Sequence, residues 1–214
     1  MIHQLAAVDR RAKIGKDVTI EPFTTIAGDV EIGDGTWIGP NVTIMDGARI
    51  GKNCRVFPGT VISAIPQDLK FDGEDTKTII GDRTTIRETR RNRRFHSNGG
   101  LSAVHQFGKI GKHVMISGGT LVRKDIPPYV KVAREPMSYA GINSVGLRRR
   151  GFSNERIFEI QKVYRAVFQM KLNVSQAITF IEKELPPTED RDEIVEFIKN
   201  SPRGIVKGYG SGKE

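Results

Sequence analysis

From Ile2 to Ile62 an aliphatic side chain recurs at every sixth position: Ile2, Val8, Ile14, Ile20, Ile26, Ile32, Ile38, Ile44, Ile50, Val56 and Ile62. Glycine follows directly at Gly15, Gly33, Gly39 and Gly51. Two residues before each aliphatic position the side chain is small or short-branched, as at Ala12, Val18, Thr24, Val30, Thr36, Val42, Ala48, Cys54 and Thr60. A helix repeats at 3.6 and an alternating strand at 2, so neither explains a period of six. The pattern breaks over Ser63–Lys77 and resumes in phase at Ile80 and Ile86. It breaks again from Arg87 to Gly100 and returns at Val104, Ile110, Ile116 and Val122.

A six-residue unit holds one short strand and one turn, and three units close a triangular coil. The period therefore predicts a parallel β-helix. Coils stack about 4.8 Å apart, with aliphatic side chains aligned inside the shaft and small neighbours letting the narrow prism close. Glycine is expected to serve corners that need positive φ. The polar stretch over 63–78, with Pro66 and Gly73, reads as a loop protruding from the solenoid, and 87–100 as a loop or distorted coil. Pro127 and Pro128 lack ladder donors and are expected to end the solenoid within Asp125–Val130. Residues 1–130 then form the β-helix and 131–214 a C-terminal helical domain. In that domain Ser153 caps a helix running to about Met170, with an apolar stripe of Ile157, Ile160, Val163, Tyr164, Val167 and Phe168. A second helix runs from about Val174 to Leu185 and a third from about Glu189 to Asn200. The tail GYGSGKE reads as disordered.

Composition narrows the chemistry. At 37% hydrophobic and 7% aromatic residues the chain is lean, as a core of small aliphatics requires. The single Cys54 falls at a small inward position, which predicts a core thiol rather than a disulfide and fits a reducing, cytoplasmic compartment. The start is not basic-then-apolar and no apolar run is long enough to span a bilayer, so neither a signal peptide nor a membrane span is expected. A net charge of +9 points to an acidic partner: nucleic acid, a phosphorylated small molecule or an acidic protein. No basic motif is interleaved with aromatics, so nucleic acid is not expected. The four histidines, His3, His96, His105 and His113, lack metal-ligand spacing, and no metal or other cofactor is expected.

The segments QDLKFDGE (Gln67–Glu74), IGDRTTIRE (Ile80–Glu88), AVHQFGKIGKHVMISGG (Ala103–Gly119), DIPPYV, GINSVGLRRRGFS (Gly141–Ser153) and SPRGI (Ser201–Ile205) add a resemblance. In this order they are similar to the acyl carrier protein-dependent UDP-N-acetylglucosamine 3-O-acyltransferases, the first enzymes of lipid A synthesis in Gram-negative bacteria. The resemblance implies left-handed coiling, a C-terminal helical domain and a homotrimer with active sites between neighbouring solenoids. It covers the chain except for a central gap. In the family, further hexapeptides between the IRE and AVHQF segments carry an A-H-x-A-H-D-type motif with the catalytic histidine. Here TRRNRRFHSNGG stands in its place, so that base has no positional counterpart.

The reaction implied is transfer of a 3-hydroxyacyl group from a carrier-protein thioester to the 3-hydroxyl of UDP-N-acetylglucosamine, with an imidazole as general base and a backbone N–H on the oxyanion. By resemblance, Asp68 and Lys70 approach the sugar nucleotide, His105 and Gln106 line the substrate, and Met115 lines the pocket. Asn143 and Arg149 engage the nucleotide, Arg suiting bidentate phosphate contact. Val145 stands where the family often has an acid. His96, inside the altered segment, is a second candidate base, and Arg90–Arg94 is either a solvated loop or a docking patch for the carrier protein. His113 reads as a surface or stacking residue. Other readings stay open: a non-catalytic paralogue or deletion variant that binds UDP-sugar or carrier protein without turnover, a coenzyme A-dependent sugar acetyltransferase, a zinc carbonic anhydrase (short of suitably spaced histidines), or a purely structural solenoid.

Overall fold

The computed structural model describes residues 1–64, 77–87, 103–105 (backbone only at 105), 108–134 and 136–208. The chain winds into a left-handed parallel β-helix followed by a helical C-terminal region. Strands of two to four residues form three faces. Ala7–Val8 begins the first, Lys13–Ile14 the second and Thr19–Ile20 the third, and each pairs in parallel with the strand one coil further on, as in Ala7↔Thr25, Lys13↔Glu31 and Thr19↔Trp37. From Ile20 onward the repeat aliphatics lie inside the prism at 0–4% exposure. Each contributes roughly 1.5–3 kcal/mol by burial. Ile2, Val8 and Ile14 occupy the open end and are only partly covered.

The small inward residues do more than save space. Thr24 donates to the Gly39 carbonyl and Thr36 to the Gly51 carbonyl, each at 2.8 Å, and Thr84 donates to Gly111 at 3.0 Å. Cys54 makes the equivalent contact to the Gly81 carbonyl at 3.3 Å. A buried hydroxyl is thereby satisfied by the next coil's corner.

The glycines after the aliphatic positions have a different role from the one expected. Gly15, Gly33, Gly39 and Gly51 are not at positive φ. They are required because adjacent coils touch there: a Cβ on Gly33 would lie 2.7 Å from the carbonyl carbon of Gly51. Positive φ falls further along each corner. Between the second and third faces it forms a column of one residue per coil, Asp17, Gly35, Asn53, Arg83, His113 and Tyr129, and between the third and first faces it recurs at Phe23, Asn41, Gly59 and Gly119.

Both interruptions are excursions from single corners. Ile50 pairs with Ile80 and Ile86 with Ile116, where an uninterrupted coil would bring up positions 68 and 104. Each excursion thus adds two repeat units of sequence without adding a rung. The prolines do not stop pairing on the third face, where Val130–Ala133 pairs with Met115–Ile116. Ser138–Ile142 then runs antiparallel to Val130–Ala133, and Lys207–Gly208 pairs with it in parallel. These strands lie where the sequence suggests only helix. The residues of the expected tail from 209 onward, and most of the two interruptions, lie outside the described residues.

Among the described residues four helices follow: α1 (Ser144–Arg148), α2 (Asn154–Gln169), α3 (Val174–Glu184) and α4 (Glu189–Lys199). Ser153, Asn173 and Thr188 cap the last three through side-chain oxygens, whereas α1 is not signalled by the sequence. The α2 stripe Ile157, Ile160, Val163 and Tyr164 is buried, and the Tyr164 hydroxyl donates to the Pro128 carbonyl at 2.6 Å, seating the helix on the last coil. No described helix is long and apolar enough to cross a membrane.

Candidate active site

The two excursions flank neighbouring rungs of the first face. Val61–Ala64 runs into the first, and Ala103–His105 emerges from the second; Val61 pairs with Ala103 and Ala64 with His105. The register slips between Ile62 and Ala64, where Ser63 adopts a φ of 62° and its hydroxyl donates to the Asp46 carbonyl at 2.6 Å. The His105 backbone therefore lies against the root of the excursion that contains Asp68 and Lys70 in sequence. Asp68, Lys70, Gln106, His96 and Arg90–Arg94 lie outside the described residues.

The remaining candidates sit elsewhere on the prism. Met115 is half-buried on the outer side of the third face, between Thr85 and Lys131 in the ladder. Asn143 is buried at the corner between the second and third faces. Its Nδ2 donates to the His113 carbonyl at 2.9 Å and its Oδ1 accepts from the Gly146 N–H at 3.3 Å, capping α1. Its side chain is thus committed to holding α1 on the solenoid. The adjacent arginines separate by role. Arg148 donates to Asn154 at 3.0 Å, and Arg150 reaches the carbonyls of Arg83 at 2.8 Å and Gly146 at 3.3 Å. Arg149 is exposed and its guanidinium has no partner among the described residues. Sequence alone cannot separate three consecutive arginines; their positions at the end of a one-turn helix do.

Of the described histidines, His3 lies at the open end, its Nδ1 accepting from the Leu5 N–H at 3.1 Å. His113 is buried, with ring centroids 5.6 Å from Tyr129 and 5.1 Å from Phe152, and its Nδ1 has no partner among the described residues. Burial, reinforced by Arg150, Arg83 and Lys112, pushes its pKa down to about 4. It is a stacking residue, as the sequence suggests, but not a surface one. Its ring is taken up by packing between Tyr129 and Phe152. His105 is the described histidine whose backbone borders an excursion.

A triangular solenoid of six-residue units with an appended helical region defines a class, the hexapeptide transferases. The bacterial transferase hexapeptide profile matches residues 11–36 and 30–64, and that for UDP N-acetylglucosamine O-acyltransferase, domain 2, matches 125–206. A protein of Janthinobacterium sp. (strain Marseille), named acyl-[acyl-carrier-protein]–UDP-N-acetylglucosamine O-acyltransferase, is 36% identical over 260 residues, covering 97% of this chain and 99% of that one. One of the same name from Myxococcus xanthus (strain DK1622) is 32% identical over 195 residues, covering 68% and 76%. A crystal structure of an Arabidopsis UDP-N-acetylglucosamine acyltransferase shares the fold, with a TM-score of 0.51, 23% identity and coverage of 97% and 100%. The chain belongs to the UDP-N-acetylglucosamine O-acyltransferase family. Because 97% of its 214 residues match across 260, the Janthinobacterium relative has roughly fifty residues without a counterpart here, close to three coils of a hexapeptide solenoid.

Proposed function

We propose that this protein transfers a 3-hydroxyacyl group from acyl carrier protein to the 3-hydroxyl of UDP-N-acetylglucosamine, the first step of lipid A biosynthesis. The observation that carries this reading is the 36% identity along nearly the full length of both chains. The sugar hydroxyl attacks the thioester carbonyl while an imidazole takes its proton, a contribution of about 10²–10⁴-fold. Collapse of the tetrahedral intermediate expels the carrier thiolate, which takes up the proton from the imidazolium. His105 is our candidate base, supported by its pairing with Ala64 at the root of the excursion bearing Asp68 and Lys70. Those two residues and Gln106 would hold the sugar.

Arg149 is the candidate for the diphosphate, supported by its exposed guanidinium, which has no partner among the described residues. We assign Asn143 a positioning role, holding α1 so that Arg149 projects, and leave Met115 as an apolar wall. His105 and Arg149 belong to different corners of one prism, which supports a homotrimer whose sites combine the first face of one copy with α1 of the next. The reaction's substrates and the buried thiol of Cys54 fit a cytoplasmic protein.

A second reading, a protein that binds UDP-N-acetylglucosamine without turnover, is favoured by the roughly fifty absent residues and the missing H-D motif. Purified protein given 3-hydroxyacyl carrier protein and UDP-N-acetylglucosamine, with product followed by mass spectrometry, separates the two. Turnover that drops at least a hundredfold in His105→Ala supports the acyltransferase and its base. Undiminished turnover in that variant removes His105 from the role, and His96→Ala then follows. Nucleotide binding without product favours the second reading. Sedimentation at three times 23.8 kDa would support the trimer.

A further inference from the structure

Three arginines from distant parts of the chain meet at the corner between the second and third faces. The Arg83 N–H donates to the Lys52 carbonyl and the Arg55 N–H to the Thr84 carbonyl, at 2.8 and 2.9 Å, so the two residues stand on neighbouring rungs. Arg55 lies on the outer side of the third face between Trp37 and Thr85, and Arg83 takes a φ of 55° at the corner itself. One rung higher, the His113 N–H donates to the Asp82 carbonyl at 3.0 Å, and the His113 carbonyl holds Asn143 at the head of α1. Beyond the other end of α1 the Arg150 guanidinium reaches the Arg83 carbonyl at 2.8 Å. Arg149 adjoins it in sequence.

The charges at this corner are not compensated. Arg55 and Arg83 are exposed, and no carboxylate among the described residues meets their guanidinium groups. Arg150 donates to carbonyls, those of Arg83 and Gly146. The acids of the corner are already engaged: Asp34 pairs with the Lys52 ammonium at 3.0 Å, and Asp82 accepts from the Lys52 N–H at 2.7 Å. Partial burial, then the charges of Arg83 and Arg55, hold the Arg150 pKa below its usual value, as like charges facing one another must. The rungs of Thr85 and Met115 are adjacent here. Three coils inserted between them would part Arg83 from α1 by about 14 Å, so the cluster depends on the shortness of this chain.

A dianionic group would relieve the repulsion, and guanidinium forks match phosphate oxygens two at a time. We propose that Arg55, Arg83 and Arg150 form, beside Arg149, a binding site for a phosphate-bearing anion. Two sources carry that chemistry, the diphosphate of UDP-N-acetylglucosamine and free inorganic phosphates. The site stands on the charges and contacts above; only the nucleotide as its source rests on the proposed function. Arg55 and Arg83 are exposed, so the attraction weakens as salt rises.

Isothermal titration calorimetry of the full-length chain with inorganic pyrophosphate, and separately with UDP-N-acetylglucosamine, tests the assignment. Arg55→Gln and Arg83→Gln each remove one surface charge, and Arg10→Gln, at the open end of the solenoid, is the control. Pyrophosphate affinity that falls roughly tenfold or more in both variants, and is unchanged in Arg10→Gln, supports the site. A parallel fall for UDP-N-acetylglucosamine then names the nucleotide as the source, and equal nucleotide affinity in all four proteins names free phosphate. Equal pyrophosphate affinity in all four proteins, or no pyrophosphate binding by the parent chain, overturns the site whatever the acyl-transfer assay shows. Selective loss of pyrophosphate binding, in a parent chain that performs no acyl transfer, leaves the site standing and removes the proposed function.

Discussion

The hydroxyl of Tyr129 lies 2.8 Å from Oδ1 of Asp190, joining the last corner of the solenoid to α4 across 61 positions of sequence. Arg156 of α2 donates to both oxygens of the same carboxylate, at 2.6 and 3.0 Å. Tyr129 also meets Glu193, which pairs with Lys112 at 2.9 Å. One acid thus fastens two helices to the prism. Tyr129→Phe keeps the ring packing and removes the hydroxyl, so urea unfolding should show a loss of roughly 1–3 kcal/mol. Asp190→Ala should cost more, because it strands the partners of a buried charge. A Phe variant as stable as the parent would show that the hydroxyl contributes nothing net.

Two acid transitions are expected, in separate pH windows. His113 is neutral in the fold, with its pKa lowered to about 4 from 6.5. Its contribution is complete above pH 6.5 and is lost as pH falls toward 4, by up to roughly 3 kcal/mol. Asn tolerates the left-handed backbone at this position, so His113→Asn should flatten the stability profile between those limits. An unchanged slope in that variant would assign the transition to another group.

The second window lies lower. Burial opposes the charge on Asp190, but Arg156 and the Tyr129 hydroxyl outweigh it and hold the carboxyl below its usual range. The stability it supplies is present above the ordinary aspartate pKa and is lost as pH falls through the lowered one, below about pH 4. Asp190→Asn should remove this low-pH loss while leaving the histidine transition in place, as followed by circular dichroism.

Gly111→Ala should destabilise by at least roughly 2 kcal/mol, since the added Cβ would sit 2.5 Å from the nitrogen of Pro128. The clash is between backbones of successive coils, so no rotamer change relieves it. Thermal unfolding measures the effect. A variant with the parent's melting temperature would mean that the last coil can shift without loss.

Burial pushes the Cys54 thiol up to about 11. Ellman's reagent should therefore label the native chain slowly, at a rate that follows unfolding, and label it at once in denaturant. Rapid labelling of native protein would mean that the shaft opens at this coil.

How much of this was legible in sequence depends on where the information lay. Inward side chains such as Ile38 and Val56 follow strict period six because each must meet its counterpart in the next coil. Ser153 and the α2 stripe were readable because capping and helical packing are local. The strands Ser138–Ile142 and Lys207–Gly208 were not, since such short segments carry no usable alternation and their pairing joins distant parts of the chain. The glycines after the aliphatic positions are plain in the sequence, but sequence cannot distinguish a residue needing positive φ from one pressed against a neighbouring backbone. At the candidate site, the pairing of Val61–Ala64 with Ala103–His105 joins distant parts of the chain, and the register slip at Ser63 that sets Ala64 opposite His105 is one that no composition rule signals. The separate roles of Arg148, Arg149 and Arg150 required the turn of α1.

Each excursion leaves from one corner, and the rungs above and below still pair. Lengthening such an insertion costs little beyond chain closure, about 0.6 kcal/mol per doubling, and leaves the inward contacts of the paired rungs untouched. The aliphatic column is therefore indifferent to how much sequence is spliced in at those two corners, and residues could be gained or lost there without retuning the shaft.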